Sequence, residues 1–509
     1  MRHVRSIALV LSTSLLGACT GAAKRNMGAA PHSYHPAVAS RSVVAAGPES
    51  LAGNDFHDYG RNPWVLTSKD RMSTFAADVD TASYTVARRM LNEGNLPPAA
   101  SVRVEEFVNY FGYAFPPAPS GSPFSVVMDA APSPLTASSH ILRVAVGTKA
   151  KTQAERKPAN LVFLVDVSGS MSSADRIGLA QQSLKILTSN LGPRDSVSIV
   201  TYAGSTRVVL PPTGMEHRER ILAAIDELTS GGSTAMGSGL DLAYEQAMKG
   251  LLPGTISRVI VLSDGDANVG PAGHEAHLRI IAERAKAGGT LSTIGFGLGN
   301  YKDTAMEQLA NKGNGNNYYI DSAAAARKVF SEQLGSTLEV LAKDVKLQVE
   351  FDPAIVGKYR LVGYENRDIA DESFRDDKVD AGEIGAGHQV TTLYEIELTP
   401  AGRLSPAPFG MVRIRHKAPD GDRAIENTFA MATAPAAAFE DATNDLRFAF
   451  AVAAFADVLR GADEAKGWSL DKIAAVARAA AGTNSDRSEL VSLIERARTL
   501  RGTTATVAR

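Results

Sequence analysis

Between residues 160 and 341 the chain alternates strand-like apolar runs with amphipathic helical stretches, and this order limits the fold more than any other feature. The run Leu161-Val162-Phe163-Leu164-Val165 reads as a buried strand. A helix at 176–191 follows, then strands at 196–202 and 207–210, helices at 217–228 and 237–250, and a strand at 258–262. A helix at 275–287, a strand at 291–296, a helix at 304–309, a strand at 317–320 and a helix at 323–341 complete the unit. Such alternation implies a mostly parallel sheet with helices on both faces. Ligands of such sheets bind outside the carboxyl ends of the strands.

The flanks have a different rhythm. Before the α/β unit come an alternating run at 73–80, helices at 82–93 and 103–111, and strands at 124–130 and 140–146. After it come strands at 345–351, 359–364, 390–398 and 410–416, then Ala-rich helices at 436–459, 470–480 and 487–500. Either set of strands alone makes a thin sheet with open edges. The two flanks are therefore expected to form one β-sandwich into which the α/β unit is inserted. The segment 380–387 reads as a turn-rich hairpin connection.

At the N-terminus a basic head (Arg2, His3, Arg5) precedes an apolar core that ends at Leu16-Gly17-Ala18-Cys19. This has the form of a secretory signal and is too short for a spanning helix. Small residues directly before a cysteine resemble the lipobox of bacterial lipoproteins, and Cys19 is the only cysteine among 509 residues. The resemblance implies lipidation of Cys19 and attachment to a membrane, with Thr20 favouring the outer membrane of a Gram-negative envelope. Residues 19–65, rich in Ala, Ser, Gly, Pro and His, read as a flexible tether spanning roughly 35–40 Å. The expected organisation is a signal at 1–18, this tether, an N-terminal region at 66–157, the α/β domain at 158–342, a β-rich region at 343–435 and a helical region at 436–509. Lys and Arg number 53 against 55 Asp and Glu, a formal charge of −2, which excludes a nucleic-acid partner.

Three segments fall at strand ends where a site is expected. Asp166, Ser168 and Ser170 form D-x-S-G-S directly behind the apolar run. Gly231-Gly232-Ser233-Thr234 is a glycine-rich turn presenting a hydroxyl before a helix, and Leu262-Ser263-Asp264 is a strand ending in a carboxylate. Carboxylates and hydroxyls without sulfur or imidazole suit magnesium, manganese or calcium rather than zinc or copper.

Asp166, Ser168, Ser170, Thr234 and Asp264 together resemble the metal-ion-dependent adhesion site of von Willebrand factor type A domains, in the expected order. That resemblance covers residues 158–342 and implies a Rossmann-like α/β fold. It also implies that these five residues bind a divalent cation, most simply Mg2+, and that an acidic side chain of a protein partner completes its shell. A narrower resemblance lies in the flanks. Thr74-Phe75, Asp78-Val79-Asp80-Thr81-Ala82-Ser83-Tyr84, Leu96-Pro97-Pro98 and Val102-Arg103-Val104-Glu105-Glu106 are similar to the N-terminal region of YfbK-type von Willebrand factor A lipoproteins. Asp380-Ala381-Gly382-Glu383-Ile384-Gly385-Ala386-Gly387-His388 and Tyr394-Glu395-Ile396 are similar to their C-terminal region.

Hydrolase chemistry lacks its parts. There is no G-x-S-x-G elbow and no phosphate loop ending in Lys-Ser or Lys-Thr. His274 and His277 lack the glutamate of an H-E-x-x-H zinc motif and read as a solvated helix start. Asp266 and Asn268 read as loop-capping or supporting residues. Asp78, Asp80, Glu105 and Glu106 read as capping and surface-pairing groups rather than a second acidic site. Two functions stay open. One is a membrane-tethered, metal-dependent docking protein without enzymatic activity. The other is a non-adhesive envelope scaffold or assembly factor whose metal site is structural.

Overall fold

The apolar run lies at the centre of a six-stranded sheet. The computed structural model describes residues 53–507 apart from 78, 234–235, 266–270, 380, 406 and 432–434. The expected signal, Cys19, Asp78, Thr234, Asp266 and Asn268 lie outside the described residues.

In space the strands run Asn317–Tyr319, Gly289–Gly295, Ile256–Ser263, Ala159–Asp166, Ser196–Tyr202 and Thr206–Gly214. Every neighbouring pair is parallel except the last, which is antiparallel. All eight residues of Ala159–Asp166 are buried, so the apolar run has no outward face. Leu161, Phe163 and Val165 pack towards helices Leu179–Asn190 and Arg218–Asp226. Val162 and Leu164 pack towards Met236–Lys249 and Pro271–Lys286. The strand order reverses at Ala159–Asp166, which places a crevice at its carboxyl end.

The flanks build two antiparallel sheets. One runs Val65–Leu66, Val356–Val362, Gln389–Leu398, His140–Thr148 and Phe124–Pro132. The other runs Ile384–Gly385, Val340–Phe351, Gly410–Lys417 and Ala424–Ala430, with Met72–Ala76 also paired to Val340–Phe351. Strands from the two ends of the chain interleave in both sheets. Phe75, Leu142, Leu347, Phe351, Tyr394 and Val412 share one core between them, so the expected sandwich forms with the α/β unit inserted. Helices Ala82–Asn92, Val104–Asn109, Asn444–Arg460, Leu470–Ala481 and Ser485–Val507 assemble around a separate core that includes Tyr84, Phe107, Phe448 and Leu490. Among the described residues no helix is long and apolar enough to cross a membrane.

Four local expectations need correction. Residues 53–64, placed in the tether by composition, are docked: Asn54 Oδ1 accepts from the Gly299 and Tyr301 amides at 3.0 and 2.8 Å, and the Asn62 amide donates to the Gly363 carbonyl. The single helix expected at 323–341 is three short pieces, Ala323–Arg327, a π-turn at Lys328–Glu332 and Leu334–Leu338, and the following strand starts at Val340. The helix expected from 436 starts at Asn444, where Thr443 Oγ1 accepts from the Leu446 amide. The strand Ala424–Ala430, absent from the expected strands, pairs with Gly410–Lys417 along its full length.

The connection before Gln389 carries a titratable group in the interior. His388 is buried, and its Nδ1 accepts from the Gly385 amide at 3.2 Å. Burial, with the positive charge of Arg258 adding to it, pulls its pKa down to about 3. The unfolded chain takes up that proton near pH 6.5, about three units earlier. Stability from this residue is therefore complete above pH 6.5 and falls as pH drops towards 3. His388→Asn keeps an acceptor at this place and removes the proton uptake. Urea titrations at pH 7.5 and 5.5 should show the wild type losing about 1 kcal/mol more than the variant. Equal losses would remove His388 from the acid response.

Candidate functional site

Asp166 ends its strand fully buried, and three donors hold its carboxylate. Oδ1 accepts from the Ser168 amide at 2.9 Å, while Oδ2 accepts from Ser263 Oγ at 3.0 Å and Tyr202 Oη at 3.2 Å. The chain turns there into a short 3-10 segment, Gly169–Ser172, which brings Ser168 Oγ within 2.9 Å of Ser170 Oγ. Two side chains in the same short turn thus point their hydroxyls at one place.

The glycine-rich turn is laced to this loop by backbone. The Gly231 amide donates to the Val167 carbonyl at 2.7 Å, and the Gly169 amide donates to the Gly232 carbonyl at 3.0 Å. Thr234 follows that turn and lies outside the described residues, so the structure brings together four of the five expected residues.

Asp264 enters from the neighbouring strand Ile256–Ser263 and is 3% exposed. Its Oδ2 lies 3.4 Å from Arg176 Nη1, and the same guanidinium donates to the Ser170 and Leu298 carbonyls, each at 2.6 Å. Gly265 follows with φ +82°, and a Cβ there would lie 2.6 Å from the Lys302 backbone nitrogen. Gly265→Ala should therefore cost about 1–3 kcal/mol, from the left-handed backbone and the clash together. A thermal melt checks this, and an unchanged Tm would show that the loop relaxes freely.

Sequence reasoning passed over Arg176. A signal was available: a cation at the start of a helix opposes the macrodipole and needs another reason to be there. The residue sits in a π-turn, Ala174–Gly178, a local form often found at functional sites. His277 also departs from expectation. It is 6% exposed rather than solvated, and burial lowers its pKa. His274 places a ring nitrogen 2.7 Å from Gln308 Oε1.

Burial pushes the Asp166 carboxyl above the usual carboxylate range. Hydrogen bonds from Ser168 pull it back, and the negative charge of Asp264 adds to the rise. Burial also raises the Tyr202 phenol well above its ordinary value, with Asp166 contributing, so Tyr202 stays a donor to Asp166. Two carboxylates that repel each other, beside paired hydroxyls, leave a surplus of oxygen acceptors. Among the described residues no cluster of three or more His, Cys, Asp and Glu side chains is placed to hold a metal. A cation at this tip would therefore rest on hydroxyls as much as carboxylates, and that mixed oxygen set fits a hard divalent ion.

Comparisons agree with this architecture segment by segment. Residues 50–143 match the family described as von Willebrand factor, 160–332 the von Willebrand factor type A domain, and 336–500 the C-terminal region of the uncharacterized protein YfbK. The uncharacterized protein YfbK of Escherichia coli (strain K12) is 38% identical over 484 residues, covering 90% of this chain and 83% of that protein. An uncharacterized Synechocystis protein is 27% identical over 232 residues, covering 45% of this chain and 54% of that protein. The solved von Willebrand factor type A structure from Catenulispora acidiphila aligns with a TM-score of 0.42 and 18% identity, over 71% of this chain and 88% of that one. The chain belongs to the YfbK family of von Willebrand factor type A proteins.

Proposed function

We propose that this protein is a non-catalytic docking module that binds a protein partner through a divalent cation at the Asp166 tip. The observation that carries this reading is the convergence of Asp166, Ser168, Ser170 and Asp264 at the carboxyl end of the central strand, where the strand order reverses. Thr234 is proposed as the fifth member. Asp166 and Asp264 provide charge, while the serines and threonine provide neutral oxygens. A divalent cation bound there, most simply Mg2+ with Mn2+ or Ca2+ as substitutes, supplies an electrophilic centre with exchangeable positions for a partner's carboxylate.

Three donors hold Asp166 in place before any partner arrives, and Arg176 ties the serine turn to Asp264. The serine hydroxyls bond to each other, and neither has a hydrogen bond to a histidine among the described residues, which argues against nucleophilic catalysis. Lipidation at Cys19 and tethering at the outer membrane belong to the same proposal.

Arg176 gives one reason to keep the scaffold reading. A guanidinium already bonded to Asp264 and to the Ser170 carbonyl supports the loop by itself, as a structural site would need. Crosslinking in intact membranes, with mass spectrometry of captured proteins, separates the two. Docking predicts partners that disappear with EDTA and in Asp166→Asn and Thr234→Ala. Partners retained in all three conditions would leave only the scaffold.

A further inference from the structure

Beside the cation tip lies a recess of about 340 Å³ whose wall includes Val167, Thr201, Ala203, Arg207, Leu228 and Gly231. Val167 and Gly231 are the residues whose backbones tie the serine loop to the glycine turn. The recess therefore begins where the cation tip ends. Thr201, Ala203 and Leu228 are buried, and Ser205 and Thr229 add hydroxyls, so the recess is mixed in character. Arg207 is exposed on the edge strand Thr206–Gly214. It pairs with Thr201, which pairs with Val165, the residue before Asp166. Two strand spacings place the Arg207 backbone about 10 Å from Val165.

Arg207 makes no side-chain hydrogen bond or ion pair among the described residues. Among the described residues Arg88, Arg103, Arg143, Arg156, Arg176 and Arg360 all face carboxylates, whereas Arg207 on this recess does not. A guanidinium without a carboxylate partner on the wall of this recess is complementary to an anion. A cation coordinated by Asp166 and its neighbours adds to the same positive field.

We propose that Arg207 and this recess form a second recognition subsite, so that the partner presents two acidic side chains on one extended segment. The first carboxylate reaches the cation, the side chain beside it points away from the protein, and the second carboxylate crosses the recess to pair with Arg207. An extended chain advances about 3.3 Å per residue and turns alternate side chains to one face, so the two acids stand two residues apart. This inference rests on the docking function proposed above.

The test uses the full chain in detergent, with millimolar MgCl2 and a displayed library of random heptapeptides, and EDTA elution. The wild type should enrich peptides with two acids at that spacing. Arg207→Ala should enrich peptides with a single acid, and Arg207→Glu should replace the second acid with a lysine or arginine. A selected two-acid peptide, labelled for fluorescence polarisation, should bind Arg207→Ala about fivefold more weakly, as an exposed ion pair allows. Its single-acid derivative should bind both proteins equally. Selection of the same paired-acid motif by wild type and Arg207→Ala overturns the subsite alone. Failure to enrich any EDTA-elutable peptide overturns the docking function and the subsite with it.

Discussion

Replacing Arg103 with methionine should lower stability by about 3–5 kcal/mol, the largest single-residue effect expected in this protein. Arg103 is 5% exposed and faces three carboxylates from two parts of the fold. It bonds Glu106 within its own segment and donates to Asp303 at 2.5 Å, with Glu307 at 3.9 Å. Burial by itself would lower the arginine's pKa, but Asp303, Glu106 and Glu307 outweigh it and hold the group charged. Asp303 and Glu307 belong to helix Asp303–Lys312 of the α/β domain, whereas Arg103 precedes helix Val104–Asn109 of the N-terminal flank. The sandwich joins from a third side: Arg367 lies 3.3 Å from both Asp80 and Glu307, and the Asn366 amide donates to Glu307 at 2.9 Å.

Methionine fills much of the space and removes the charge, leaving buried carboxylates with too few cations. Urea unfolding should show a lower midpoint, and limited proteolysis should open the junction between flank and α/β domain. Arg103→Lys keeps the charge without the planar fork and should lose less, about 1–3 kcal/mol. Adding Asp303→Asn to Arg103→Met should recover part of the loss, because it removes one of the stranded charges. A midpoint unmoved in Arg103→Met would mean that the cluster does not join the domains.

That cluster also shows what a linear reading misses. Arg103 and Asp303 are 200 positions apart, and nothing local in either segment announces the other. Asp80, Glu105 and Glu106 were expected to cap or pair at the surface. They do act on backbone, since Glu106 accepts from the Ser83 amide, Glu105 from the Tyr364 amide and Asp80 from the Asn317 amide. Each is buried, however, because the sandwich and the α/β domain close over them. The central sheet was readable because its inner runs, Ala159–Asp166, Ser196–Tyr202 and Ile256–Ser263, are covered on both faces. Edge strand Ala424–Ala430 was not, since its half-exposed residues such as Ile425, Glu426 and Asn427 lack a strong period-two pattern. The break inside 323–341 escaped for a related reason: Ala and Leu suit a continuous helix, and only pairing of Val340–Phe351 with other strands pulls the chain out of it. At the Asp166 tip the motif itself was visible in sequence, while the role of Arg176, hinted at only by its place at a helix start, took shape through its contacts with Ser170, Asp264 and Leu298.

Millimolar Mg2+ should raise the Tm of the wild type, and Asp166→Asn should abolish that rise without unfolding the protein. The native state holds the oxygen cluster together and the unfolded chain does not, so binding adds to native stability by mass action. At a hundredfold excess over Kd the gain is about 2.7 kcal/mol, or roughly 5–10 °C for a domain of this size. Asparagine suits the position structurally. Its carbonyl can still accept from the Ser168 amide, and the Ser263 and Tyr202 hydroxyls can rotate to accept from its amide. It also removes one of two repelling buried carboxylates, so in EDTA its Tm should equal or exceed that of the wild type. Asp264→Asn should lose the Mg2+ response as well, but from a lower starting Tm, because it weakens the pairing with Arg176. The two variants thus share one loss and differ in baseline, a pattern that general damage to the domain would not produce. A wild-type Tm that stays flat across millimolar Mg2+, Mn2+ and Ca2+ would sink the cation assignment. A response retained in Asp166→Asn would move any bound ion away from the central strand.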